Sequence, residues 1–386
     1  MRPGWYILCC SLWILIGIRA QAQDSIPDRQ IKVSGYIKDL QSLLFDKDLR
    51  HVVASDLLHN RVNIKWKPAP ALSGALEIRN RVIWGEQLAA TSGFADQVTN
   101  SGAWVDLSKT WVNRSDLILV SNIERFWIEW HDQRWNFRAG RQRINWGITT
   151  MWNPNDIFNT YNFLDFDYEE RPGSDAVKGS YHFNAVSGLE FALAGHGAGQ
   201  GSTGAMRFFT NKWNYDFQFI SGWYGKGFTA GGGWAGSIKD AGFKGEFMYF
   251  APRKDSAGQL NLAMEWDYVF KKGWYLNIGG LLNTNGPDRP VSGWATLDFN
   301  LSPKNILPVR WAAVLTSGKE LTPLFSANIS VVYSPGVNLL ILLPGVKYNL
   351  ATNLDADIIW QSFFAKIDGA FGSIAHNGFL RLRWSF

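Results

Sequence analysis

GFLRLRWSF, residues 378–386, ends the chain. Leu380, Leu382, Trp384 and Phe386 alternate with Arg381, Arg383 and Ser385. An extended chain therefore has one apolar face and one cationic face here. Soluble proteins seldom end on such a strand, because an uncovered edge at a terminus invites aggregation. The segment asks for a sheet that closes on itself, and the rest of the sequence can be searched for the same period.

It recurs throughout. Val62, Ile64 and Trp66 alternate with Asn63, Lys65 and Lys67; Phe217 and Phe219 with Asp216 and Gln218; Phe325, Ala327, Ile329 and Val331 with Ser326, Asn328 and Ser330. Short turns rich in Gly, Pro or Asn separate these segments, among them Lys67–Pro70, His131–Arg134, Asp240–Gly242 and Ser334–Gly336. Aromatic residues make up 15% of the chain and charged residues only 18%, with 20 Trp and 38 Gly. No run after the N-terminal one approaches the length of a membrane-spanning helix, and the longest, Val337–Leu343, stops at Pro344. Apolar content hidden in alternation is the mark of a transmembrane antiparallel β-barrel, all-β and a single domain over residues 23–386.

The expected strands near the start are Ile31–Phe45 and then about 57–67, 71–86, 115–131 and 134–147. The turns at 67–71 and 131–134 then fall on the periplasmic side, and the long connections 87–114 and 148–174 outside. Counting onward gives one strand more than even closure allows. The surplus is expected beyond about residue 300, leaving about 18 strands, with 16 as the alternative. A barrel of that size encloses an aqueous channel, whereas eight strands would fill their own interior.

Residues 1–22 read as a cleaved signal peptide: Arg2, an apolar run from Trp5 to Ile18, then Arg19 and Ala20-Gln21-Ala22. A lipoprotein signal at Cys9 or Cys10 is disfavoured, since both lie within the apolar run. Cleavage after Ala22 removes both cysteines, so disulfides contribute nothing to the mature fold. It also removes Arg2 and Arg19, lowering the formal charge from +5 to +3.

The terminal strand resembles that of Gram-negative outer-membrane barrels, which implies that Trp384 and Phe386 serve as a signal for the barrel-assembly machinery. Four further elements resemble porin-like families, including alginate-export-type and related uncharacterised barrels: Gly140-Arg141-Gln142, Trp146-Gly147, Asn153-Pro154-Asn155-Asp156 and Arg171-Pro172-Gly173. The Ala-Gln-Ala-Gln cleavage region resembles those of Bacteroidetes outer-membrane proteins. The resemblance implies passive or facilitated diffusion of a small polar or charged solute. Implied surroundings are outer-membrane lipid and lipopolysaccharide, with a homo-oligomer or an accessory complex compatible with such a barrel. The alternative is a non-conducting barrel that serves as an accessory subunit in envelope assembly or secretion.

Residues 135–172 carry the most specific expectations. Trp135, Phe137 and Ala139 share one parity, which puts Arg138 in the lumen. Unbroken alternation would turn Arg141 and Arg143 toward lipid, at about 2–4 kcal/mol each near the midplane. A β-bulge at Ala139-Gly140 would shift the phase, sending Arg141 and Arg143 inward and Ile144 and Trp146 outward. The competing explanation is a strand that has already reached the headgroup region, where an outward arginine costs little. Beyond it, Thr149–Tyr168 holds Trp152, Phe158, Tyr161, Phe163, Phe166 and Tyr168, too many large apolar groups to leave in water. This long connection is expected to fold into the barrel as a constriction. Its carboxylates Asp156, Asp165, Asp167, Glu169 and Glu170 would oppose Arg138, Arg141, Arg143, Arg79 and Arg81, with Gly140, Trp146 and Pro154 as structural residues. A lid folded over the rim, its charges merely neutralising one another, is the competing arrangement.

Signs of other chemistry are missing. The six histidines are scattered, with no zinc-binding spacing, and there is no G-x-S-x-G elbow. The glycine-rich Gly195–Gly204 lacks the Gly-Lys-[Ser/Thr] ending of a phosphate-binding loop and reads as an extracellular loop. Basic residues are spread singly rather than clustered, which speaks against nucleic acid despite a pI near 9.0. The expectation is a protein with no catalytic site, no metal and no cofactor.

Overall fold

Alternation on this scale closes into a cylinder. The computed structural model describes residues 30–90, 103–160, 162–165, 167, 173–197, 201–254, 256–291, 297–367 and 369–386. The expected signal peptide lies outside them. The strands are β1 (Ile31–Asp46), β2 (Val52–Ala69), β3 (Leu72–Gly85), β4 (Ser108–Asn113), β5 (Leu117–His131) and β6 (Trp135–Gln142). There follow β7 (Ser174–Asn184), β8 (Ser187–Gly195), β9 (Ser202–Lys212), β10 (Tyr215–Gly225), β11 (Gly227–Ile238) and β12 (Ala241–Phe250). The last are β13 (Gln259–Val269), β14 (Tyr275–Asn283), β15 (Trp311–Thr322), β16 (Phe325–Ser334), β17 (Leu339–Ala351), β18 (Leu354–Ile367) and β19 (Ala370–Ser385). A short helix, α1 (Glu86–Ala90), follows β3.

Each strand is antiparallel to its neighbours, and β1 pairs with β19 to close an 18-strand barrel. Phe386 seals the seam, exchanging backbone hydrogen bonds of 2.9 Å with Gly35 in both directions. The strand beyond even closure is β4, not an element after residue 300 as the sequence suggested. β3 runs along one edge of β5, while the other edge is shared: His131–Phe126 pairs with β6 and Asn122–Ile118 with β4. β4 thus fills wall that β6 vacates by ending early. Strands β15 to β19 all belong to the cylinder.

Turns on the side of the chain's end are short, and the long connections 86–116, 143–173 and 284–310 all leave and rejoin the wall at the opposite rim. The expected loop Gly195–Gly204 is shorter than the sequence suggested: Gly195 ends β8 and Ser202–Gly204 already belong to β9. Outward positions expose large apolar groups, for instance Phe126, Ile128 and Trp130 on β5, and Phe191 and Leu193 on β8. Inward positions are polar or small except where they pack against chain inside the barrel or against each other, as Ile220, Met248, Leu281 and Ile341 do. This division is the one that a lipid-embedded barrel requires.

Candidate functional site

The distinctive geometry begins where β6 leaves the wall. Gly140 has φ +116°, and a Cβ built on it would sit 2.2 Å from the carbonyl oxygen of Phe126. No other residue fits that backbone without strain. The expected bulge, however, is not there: the ladders from β6 to β5 and to β7 run without register shift. Arg141 therefore keeps the parity of Phe137 and Ala139 instead of joining Arg138. Its charge is met locally, by the carboxylate of Asp175 through two hydrogen bonds of 2.8 and 2.9 Å and by the carbonyl oxygens of Ile123 and Val105. The arriving residues 103–107 cover this pair, and Val105 N–H donates to Asp175 at 2.8 Å. A buried, doubly bonded ion pair removes the penalty that the bulge was invoked to avoid.

After Gln142, whose side-chain amide donates to the carbonyl of Ala176 at 2.9 Å, the chain turns into the barrel. Ile144 and Trp146 point into the lumen, not toward lipid as expected, and each is only 1% exposed. They pack with Phe158 against Ala176, Ala192, Ala194, Ile220 and Met248, inward positions of β7, β8, β10 and β12. Strand parity stops governing side-chain direction once the strand ends, and small residues on the wall receive the bulky ones.

Acidic wall residues then hold the segment. Backbone N–H groups of Ile148 and Thr149 donate to Glu246 at 3.1 and 3.3 Å, and Asn153 adds its amide at 3.0 Å. Thr150 gives its N–H and hydroxyl to Glu265 at 2.9 and 2.8 Å. Wall glycine makes room, since a Cβ on Gly233 of β11 would lie 2.7 Å from the Ile148 side chain. Asp156, fully buried, accepts from the N–H groups of Trp146 and Gly147 at 2.9 and 3.2 Å, so it ties a turn. Pro154 is buried in the same turn.

The far end reaches the opposite part of the wall. Gln361 of β18 donates to the carbonyl of Leu164 at 2.8 Å. Lys38 of β1 lies 2.7 Å from the Asp167 carboxylate and also donates to that residue's carbonyl at 3.1 Å. Asp165 is exposed. Glu169 and Glu170, with Tyr161, Phe166 and Tyr168, lie outside the described residues.

A second inward segment had no forecast in the sequence. Ile306, Leu307 and Val309 are buried with Trp152 and Phe163 against inward residues of β13 to β18. Asn261 of β13 donates to the carbonyl of Pro303 at 2.8 Å. Short-range alternation carries no trace of this packing, because the partners are far apart in the chain.

Opposite these packed regions the wall is cationic. Across β2, β3 and β5, Arg61 pairs with Glu77, Arg79 with Glu124 at 2.7 Å, and Arg81 donates to Asn122 at 3.1 Å. Arg381 meets Asp357 at 3.0 Å, and Arg383 lies 4.5 Å from the ring centre of Tyr36. Of the predicted arginines, Arg79 and Arg81 stand in this group. Arg138 lies apart, paired with Glu129 at 2.7 Å and stacked on Trp127 near the short-turn end. Arg143 is half-buried at the start of the inward segment, its Nε without a hydrogen-bond partner among the described residues. Lys38, His59, Arg61 and Arg125 were missed. The usable signal was their inward parity on β1, β2 and β5.

A closed barrel with an apolar outer belt and a polar, partly packed interior defines an outer-membrane β-barrel protein. Among solved structures, the chain is similar to OccAB4 of Acinetobacter baumannii, at TM-score 0.59 and 9% identity over 94% of this chain and 100% of that one. It is also similar to OprD and OccK11 of Pseudomonas aeruginosa. OprD matches at TM-score 0.56 and 8% identity over 92% of this chain and 95% of its own; OccK11 at 0.56 and 7% over 92% and 96%. At these identities the likeness is one of fold. No family model and no curated protein matches the chain.

Proposed function

We propose that the protein is a porin-like channel for diffusion of small polar or charged solutes, with a preference for anions. The observation that carries the reading is the segment 143–167, anchored on Glu246 and Glu265 at one side of the lumen and on Lys38 and Gln361 at the other. Such a crossing narrows the bore and brings the segment against a cationic wall. There Lys38, Arg61, Arg79, Arg81, Arg125, Arg381 and Arg383 outnumber Glu77, Glu124, Asp167 and Asp357. A constriction whose fixed charges carry an excess of one sign concentrates ions of the other. Nothing in this mechanism needs a bond to be made or broken.

The inward arginines hold their geometry through carboxylates and amides, so the field is built into the wall and needs no rearrangement when a solute arrives. The two apolar packings inside the lumen, one around Trp146 and one around Leu307, favour the alternative of a closed accessory barrel. Planar-bilayer recording of the purified protein decides. Stepwise conductance with chloride permeating over potassium supports the channel. Silence supports the closed barrel, and potassium preference refutes the anion reading. Recognition of Trp384 and Phe386 by the assembly machinery belongs to the same proposal. Deleting Phe386 should lower the yield of assembled barrel.

A further inference from the structure

The outward face of β1, β2, β3 and β5 departs from the rest of the wall. At mid-height Asp39 and Gln41 on β1, Asp56 and Asn60 on β2, Asn80 on β3 and Ser121 on β5 share the side of exposed Val33, Leu43, Leu58 and Ile128. Each is bracketed along its strand by apolar outward residues, so the row lies inside the lipid belt. It is continuous: Asn60 donates to the carbonyl of Tyr36 at 3.3 Å, Asn80 to Asn60 at 3.2 Å, Ser121 to Asn80 at 2.6 Å, and Trp111 of β4 to Ser121 at 2.9 Å. Asp56 keeps a buried carboxylate oxygen with no hydrogen-bond partner among the described residues. Outward positions on β8, β13 and β17 carry Leu, Phe, Met, Pro, Val or Trp along the middle of each strand.

We propose that this face is the contact surface for a second copy of the chain. Carboxylates and amides at bilayer depth are costly against hydrocarbon, and they persist where protein covers them. The occupant follows from the charge layout. Asp39 and Asp56 lie toward the β1 edge of the row, whereas exposed Lys109 on β4 lies beyond its β5 edge, opposite Ser121. A two-fold axis through the middle brings the lysine of one copy toward the carboxylates of the other and sets amide against amide, which both donate and accept. Self-complementarity of this kind is what an isologous contact requires. Four strands at ~4.8 Å spacing and a belt ~25 Å tall offer on the order of 500 Å² per copy. Two such faces reach the ~1,000 Å² total that a specific interface should clear.

The test uses the full chain in outer membranes, where the described residues hold no cysteine. Leu58→Cys, Val82→Cys and Leu119→Cys place single thiols on this face, and Leu262→Cys on β13 serves as control beside the unsubstituted chain. Treatment with a short bismaleimide should give cross-linked dimer from at least one of the first three and none from the controls. Lys109→Glu should lower that yield severalfold, and Asp56→Lys added to it should restore the yield. Heat-modifiable migration checks that every variant is a folded barrel. A folded chain of single-barrel mass with no cross-link overturns the proposal, as does cross-linking to another polypeptide. A dimer yield indifferent to Lys109→Glu overturns the charge pairing on which the choice of occupant rests.

Discussion

Lys38 and Asp167 stand 129 positions apart in sequence, yet the Nζ of one lies 2.7 Å from the carboxylate of the other, with Lys38 wholly buried. This contact joins the first strand of the barrel to the end of the segment that crosses it. His59 and Arg381 face the same carboxylate at 4.0 and 3.9 Å, so the anchor sits within the cationic wall.

Asp167→Asn should therefore loosen the far end of the crossing and leave a buried ammonium poorly compensated. Breaking a buried pair by removing one partner costs about 3–5 kcal/mol, less here because Asp167 is partly exposed. Single-channel records of the variant should show a larger mean conductance and more open-state noise. Traces indistinguishable from those of the parent would remove the anchoring role.

Arg79→Gln together with Arg81→Gln should lower the permeability ratio of chloride to potassium severalfold while leaving the barrel folded. Arg138→Gln, outside the cationic group and neutralised by Glu129, should change that ratio little. Reversal-potential measurements across a salt gradient compare the three. Equal effects at both places would mean that the selective charge is not where the wall concentrates it.

Glu246 is fully buried and accepts from Ile148, Thr149 and Asn153 at once. Glu246→Ala strands several donors, and each buried unsatisfied group costs about 1–3 kcal/mol. The segment should detach from the wall and become cleavable by protease from the outer side. Glu246→Gln retains one acceptor oxygen and should be cleaved more slowly. Full resistance in the alanine variant would contradict the anchoring of the near end.

Gly140→Ala meets the Phe126 carbonyl oxygen at 2.2 Å in a left-handed backbone conformation. A forced conformation of that kind costs about 1–3 kcal/mol before the clash is counted. The barrel should lose its heat-modifiable migration at a lower temperature than the parent. The same substitution at Gly273, where φ is +78° but no atom lies within 4 Å, should be milder. Equal shifts would assign the whole effect to the backbone angle.

Much of the wall was legible because a barrel strand is a local object. The period of two along Val62–Trp66 or Leu380–Phe386 says which side chains meet lipid without reference to any distant residue. Short turns and long connections gave the two rims in the same way. The surplus strand was misplaced because β4 is defined by what it covers: it mends the edge of β5 that β6 leaves open. Arg141 was misread for a related reason. Its parity was assigned from the cost of an unpaired charge, and only the neighbouring ladder reveals that Asp175 sits beside it.

Alternation, turn spacing and composition determined a closed antiparallel barrel of about this size, since each follows from a few consecutive residues and the demand that no backbone group meets hydrocarbon unpaired. The tertiary structure alone decided the inside: where Trp146 and Leu307 find apolar partners, which carboxylates grip residues 148–153, and which cations gather on one side of the wall. Those contacts join strands whose separation in sequence no periodic pattern encodes. The outer row from Asn60 to Ser121 shows both halves of this, because the polar residues are plain in the sequence while their alignment into one face exists only once the strands are in register.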